Sequence, residues 1–168
     1  IDGRIGRYSR WTEEQRKENY IYFLSCAAMY EHNEAQYILG CEYYNGDLVE
    51  QNKAIGKEYL TDAAKNNHPK AQYLLSDILI KECRQLKTFD EEEEYLDEAM
   101  YWLNKFSEKN FGNTENLLGE VYLKKYKLYK IYKKVTNNKF LDSAIYWFKR
   151  SIVYENKFAL VNLGKIYL

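Results

Sequence analysis

The tripeptide Ala-Gln-Tyr occurs at residues 35–37 and again at 71–73, a spacing of 36 residues. Ala27-Ala28 returns as Ala63-Ala64 and His32 as His68 at the same offset. A fixed period of this length constrains the fold more than any other feature. One unit is too small to bury its own apolar face, so successive units must stack and share one core. Such a stack presents an extended surface and holds partners. It does not by itself build one deep catalytic cleft.

The repeat continues with longer spacings. Tyr59 is followed by Trp102 after 43 residues, and Trp102 by Trp147 after 45. One slot therefore holds Phe23, Tyr59, Trp102 and Trp147, always aromatic. A second holds Gly40, Ser76, Gly119 and Gly164, always small. A third holds Ala35, Ala71, Thr114 and Ala159. A small residue lets two helices approach closely, and a large ring fills the space beside them. The small slot is therefore expected where each first helix of a pair meets its neighbour.

Within a unit, Ala35, Ile38, Leu39 and Tyr43 follow the i, i+3, i+4 spacing of one buried helical stripe. Polar turns separate two such stretches, which gives two antiparallel helices per unit. Gly46 suits a left-handed helix end, and Pro69 suits the first turn of the next helix. The expected helices are 12–30, 34–46, 52–66, 69–86, 91–109, 114–133, 139–155 and 157–168. The repeat region spans 12–168, with units at 34–68, 69–112 and 113–156 and partial units at both ends. Residues 1–11 read as a separate N-terminal segment. Ile1-Asp2-Gly3-Arg4 there is either a protease-site remnant or natural sequence. A stop inside a repeat suggests a fragment of a longer protein.

Lys plus Arg and Asp plus Glu each number 25, so no global field recruits nucleic acid or membrane. No apolar run reaches the roughly 18 residues of a membrane span. Cys26, Cys41 and Cys83 occupy no common slot, which reads as reduced thiols in the cytoplasm rather than one staple per repeat. Extra length falls at 84–93 and 124–139. Asp90-Glu91-Glu92-Glu93-Glu94 in the first insertion could attract a basic partner, but acids opening a helix explain it more simply. In the second, residues 124–134 interleave lysine with tyrosine, which could hold single-stranded nucleic acid. An amphipathic extension with Leu128, Ile131 and Val135 as its apolar stripe accounts for the same residues and is preferred. His32 and His68 lack further ligands at metal spacing and read as turn or cap residues. No phosphate loop or nucleophile motif is present, so no cofactor or metal is expected.

The run Ala35-Gln36-Tyr37-Ile38-Leu39-Gly40-Cys41-Glu42-Tyr43-Tyr44-Asn45-Gly46-Asp47-Leu48-Val49, continued by Asn52, Gly56, Tyr59, Ala63 and Ala64, resembles the Sel-one-like repeat, a relative of the tetratricopeptide repeat. Here Leu48 replaces a turn glycine, Gly56 an alanine and Tyr59 a tryptophan. Later units keep Ala99, Trp102 and Lys105, then Ala144, Trp147 and Arg150. The resemblance implies an all-α, right-handed α/α superhelical solenoid of about eight helices. It also implies a non-enzymatic scaffold or adaptor that binds proteins or peptides, often in bacterial signalling or host-facing roles. In these repeats the first helix of each pair lines the inner face. Counted from the small slot, that face would carry Tyr37, Tyr73, Asn116 and Val161 three residues before it. Cys41, Asp77, Glu120 and Lys165 come one residue after, and Asn45, Lys81 and Lys124 five after. Ordinary solvated helix positions would look the same. A nucleic-acid accessory domain using residues 124–134, or a repeat tail on a catalytic domain elsewhere, is the alternative function. The apolar last helix should fray or pack on another copy, since a terminal repeat needs a polar cap.

Overall fold

A computed structural model describes residues 11–106, 111–134 and 138–168. The regular elements among them are eight α-helices and one 3₁₀ turn, and within each unit neighbouring helices pack on each other as in an α solenoid. The chain divides into two compact units, Ile1–His68 and Pro69–Leu168. No helix of the described residues is long and apolar enough to cross a membrane.

In the first unit, α1 spans Glu13–Met29, α2 Asn33–Asn45 and α3 Lys53–Lys65. Thr12 opens α1 with a reciprocal cap. The Gln15 N–H donates to Thr12 Oγ1, and the Thr12 N–H donates to Gln15 Oε1, both at 3.1 Å. His32 is the cap of α2, its Nδ1 accepting the Ala35 N–H at 3.2 Å. Gly46 ends that helix at φ 80°, where an L side chain would be strained. The α2–α3 contact is glycine against glycine. A Cβ on Gly40 would lie 2.7 Å from Leu60 Cγ, and one on Gly56 2.7 Å from the Tyr44 nitrogen and 2.9 Å from the Gly40 oxygen. The departure from alanine at residue 56 thus lets the two backbones approach more closely than any side chain would allow.

The second unit holds α4 (Pro69–Glu82), a 3₁₀ turn (Cys83–Gln85), α5 (Phe89–Lys105), α6 (Phe111–Tyr132), α7 (Asn138–Val153) and α8 (Lys157–Gly164). Its small slot is filled from α7. A Cβ on Gly119 would sit 2.5 Å from the fully buried Phe148 ring. The ring opposite Gly119 is therefore the residue after Trp147, just as Leu60, after Tyr59, lies against Gly40. Trp102 and Trp147 instead carry cations three residues on. Lys105 Nζ lies 5.8 Å from the Trp102 ring and the Arg150 guanidinium 5.4 Å from Trp147. Arg150 also pairs at 3.0 Å with the buried Glu115, whose carboxyl burial pushes up and the guanidinium pulls down.

Several expectations are corrected. Phe23 is 63% exposed, so the aromatic slot is not a core position in α1. Gly164 has nothing within 4 Å of a Cβ position, so unlike Gly40 and Gly119 it faces no packed side chain. The helix expected to reach residue 168 ends at Gly164. Leu163 and Ile166 still pack on the Ala144, Phe148 and Ala159 cluster, while Tyr167 and Leu168 are exposed. The stripe through Leu128 and Ile131 is also rotated. Val121, Lys125 and Leu128 are buried, Ile131 is 70% exposed, and Val135 lies outside the described residues. The reason is that Gly119 faces Phe148 of α7, which turns Lys125 toward α5, where it pairs with Asp97. Asp90, Glu91 and Glu92 fill the first turn of α5 behind the Thr88 cap, as the helix-opening reading requires. The three cysteines are free thiols.

The small slot yields a paired test. Gly119→Leu should lower stability by about 1–3 kcal/mol through overpacking against Phe148. Gly164→Leu should change it by less than about 0.5 kcal/mol, as surface changes do. Thermal melting of both variants checks the register.

Candidate functional site

In the first unit, Tyr37, Cys41 and Asn45 stand along α2, with Asn45 exposed at its end. Tyr37 is half-buried and stacks on the buried His68, ring centroids 4.6 Å apart and 19° from parallel. His68 Nε2 lies 2.9 Å from Glu34 Oε2, so His68 is a packed tertiary residue as well as a turn residue. Burial, then the neighbouring Cys41, pushes the Tyr37 hydroxyl up to about 12. Burial likewise raises the Cys41 thiol. Tyr37 is thereby tied into its own unit.

The second unit gathers the remaining residues. One groove of about 460 Å³ is lined by Tyr73, Asp77 and Lys81 of α4, Asn116 and Glu120 of α6, and Lys165 just after α8. All six are sequence-expected positions, and all come from the first helices of their pairs. These helices lie side by side, α4 against α6 and α6 against α8. Val161 of α8, also expected on this face, lines the same groove, and Lys124 lines an adjoining one that shares Glu120 and Lys165. Burial pushes its amine down, and burial also pushes up the neighbouring Cys83 thiol.

The first groove is floored by amides. Asn162 Nδ2 donates to Asn116 Oδ1 and Glu120 Oε1, each at 3.1 Å, and Asn116 Nδ2 donates to Glu120 Oε1 at 2.9 Å. Asn156 Nδ2 donates to Asn113 Oδ1 at 2.9 Å and to the Gly112 carbonyl at 3.0 Å. Its Oδ1 accepts the Phe158 and Ala159 N–H groups and so caps α8. These bonds hold the amides in place and leave Asn162 Oδ1 and Asn113 Nδ2 without partners among the described residues. Both residues line the one groove. Ile80, Leu117, Phe158 and Val161 add apolar surface, with Phe158 74% exposed. Tyr73 leans on Phe106, centroids 5.7 Å apart, and burial raises its hydroxyl.

Asn113, Asn156, Asn162, Phe158 and Arg84 were not among the expected site residues. Asn156 had a signal, because it stands eight residues before the small slot, where His32 and His68 stand in earlier units. Asn113 and Asn162 recur at no slot, and only the pairing of α6 with α8 brings them together. No group of three His, Cys, Asp or Glu residues among the described residues could hold a metal.

The raised Tyr37 hydroxyl gives a pH prediction. Free tyrosine ionises near 10, so the unfolded chain loses this proton first. The resulting stabilisation is complete below pH 10 and is lost as pH rises toward about 12. Carbon-13 NMR of the tyrosine ring should show one resonance titrating near 12 that disappears in Tyr37→Phe.

The family model described as the Sel1 repeat matches residues 33–68, 96–111 and 138–152. The first match covers α2 and α3 whole, the second most of α5, and the third α7. No curated protein matches the chain. Sel1 repeats are generally protein-interaction modules and typically non-catalytic. Gly40 and its partner helix α3 lie inside the first matched segment, whereas Gly119 lies between the second and the third.

Proposed function

We propose that this chain is a non-catalytic scaffold module that binds a linear peptide of a partner protein in the groove of α4, α6 and α8. One observation carries the reading. Side chains from the first helices of three successive pairs meet in one groove, with an unpaired amide acceptor and donor beside apolar surface. A peptide backbone offers an N–H to Asn162 Oδ1 and a carbonyl to Asn113 Nδ2. An apolar side chain of the peptide finds Ile80, Leu117, Phe158 and Val161. Amides already held by neighbours lose little freedom on binding, which lowers the ordering cost of association. Tyr73 supplies a ring with few rotatable bonds. In the first unit, Tyr37, Cys41 and Asn45 are secondary candidates. The three free thiols fit a reducing compartment such as the cytoplasm.

Selection from a displayed library of linear peptides tests this. Enriched peptides should bind the whole chain, and Val161→Asp should weaken them at least about tenfold by putting a carboxylate where an apolar side chain of the peptide would pack. Val161 is 56% exposed, so the melting temperature of that variant should stay close to the parent's. If no peptide is enriched, or if Val161→Asp binds the enriched peptides equally well, the reading fails.

A further inference from the structure

The Lys/Tyr-rich end of α6 is not absorbed by the amide groove, and its side chains are sorted by face. Lys125 is buried and paired with Asp97. The Tyr129 hydroxyl donates to Glu93, and its ring packs on Phe89 and Phe140 at 5.2 and 5.1 Å. Tyr132 meets Phe89 edge-on at 5.9 Å and donates to the Lys87 carbonyl at 3.3 Å. This side of the helix is occupied by α5, its acids and the preceding loop.

The other side is basic. Lys124, Lys127 and Lys130 join Arg84 and Lys165 around a groove of about 580 Å³, with Glu120 as the only acid in its lining. Among the described residues, none of the five cations forms an ion pair. The chain is neutral overall, so this is a local excess. Asp90, Glu91 and Glu92 fill the first turn of α5, and Lys127 and Lys130 pair with none of these acids, although Glu92 still acts on Lys124. Leu123, Leu141 and Ile166 supply apolar lining, and Tyr126 is the one ring, with Lys130 Nζ 5.8 Å from its centroid.

We propose that this basic groove takes an acidic segment of a partner protein, an extended peptide with Asp or Glu side chains and apolar residues between them. The inference rests on the peptide-binding reading and extends it to a second subsite. The two grooves share Arg84, Glu120, Asn162 and Lys165, so one extended peptide passes from the amides into the lysines. Glu120 repels carboxylates at the shared end and sets them toward Lys127 and Lys130. Uncompensated cations facing carboxylates give charge complementarity, and the leucine and isoleucine lining asks for apolar side chains. Single-stranded nucleic acid fits less well. It needs a row of open rings on which to stack its bases, and Tyr129 and Tyr132 are engaged on the opposite face.

Fluorescence anisotropy with the whole chain decides between these occupants. The labelled probes are a peptide of about a dozen residues rich in Glu with interspersed Leu, the same peptide with Lys for Glu, and an oligothymidylate of similar length. The Glu/Leu peptide should bind at least about tenfold tighter than either of the others and weaken with added salt. Lys127→Glu/Lys130→Glu should cost it about tenfold or more. Lys127→Arg/Lys130→Arg should retain it, and both residues are exposed, so each variant should melt like the parent. Tighter binding of the oligothymidylate, or equal binding of the charge-reversed variant, overturns the proposal. If charge reversal has no effect while Val161→Asp abolishes binding of selected peptides, the acidic preference is wrong and the peptide reading stands. If no peptide of any composition binds, both fail.

Discussion

Close backbone contact at glycine is the constraint on which the helix pairs depend. Gly40 and Gly56 meet across α2 and α3, and Gly119 receives the Phe148 ring from α7. Glycine inside a helix costs about 1 kcal/mol relative to alanine. That cost is offset because helices this close exclude water from Leu39, Leu60 and Phe148, each fully buried. The contact also sets the phase of each helix. Once Gly119 faces α7, Asn116 and Glu120 on α6 are turned toward α8, and Lys125 toward α5.

Placement of the groove follows from that phase. In the second unit the first helices of successive pairs touch along their lengths, so residues at matching heights become neighbours. Asn116, Glu120 and Asn162 then satisfy one another, and Asn156 ties the start of α6 to the start of α8. Buried or half-buried amides are stable only when so connected. The same network holds the amides of the groove in place.

The departures from the repeat carry the chemistry that the repeat itself lacks. Family matches fall on α2–α3, on α5 and on α7, whereas the groove residues lie on α4, α6 and α8, outside the matched segments. Lengthening of α6 adds Lys124, Lys127 and Lys130, and the acid run opens α5 beside it. A neutral chain thereby acquires one basic groove without any change in net charge. The matched segments build the support, and the segments between them line the groove.

Sequence alone determined the helices, because capping and helical periodicity are local. Thr12, His32, Asn52, Thr88 and Asn156 mark starts, and Gly46 and Pro69 mark a stop and a start that the backbone requires. It also determined the small slot at Gly40 and Gly119 and seven of the residues that line the amide groove, since a fixed period carries equivalent positions to equivalent faces. Tertiary structure alone decided the rest. Phe148 rather than Trp147 fills the space beside Gly119, because helix rotation is set by the neighbour and not by the slot count. Ile131 is exposed and Lys125 buried, because the phase set where Gly119 meets α7 turns the lysine toward Asp97 on α5. Tyr37 proved to be stacked on His68, a contact between residues 31 positions apart that no local pattern encodes. Asn113 and Asn162 become a donor and an acceptor in one groove only when α6 and α8 lie together, since hydrogen-bond capacity left unused is a property of the assembled network.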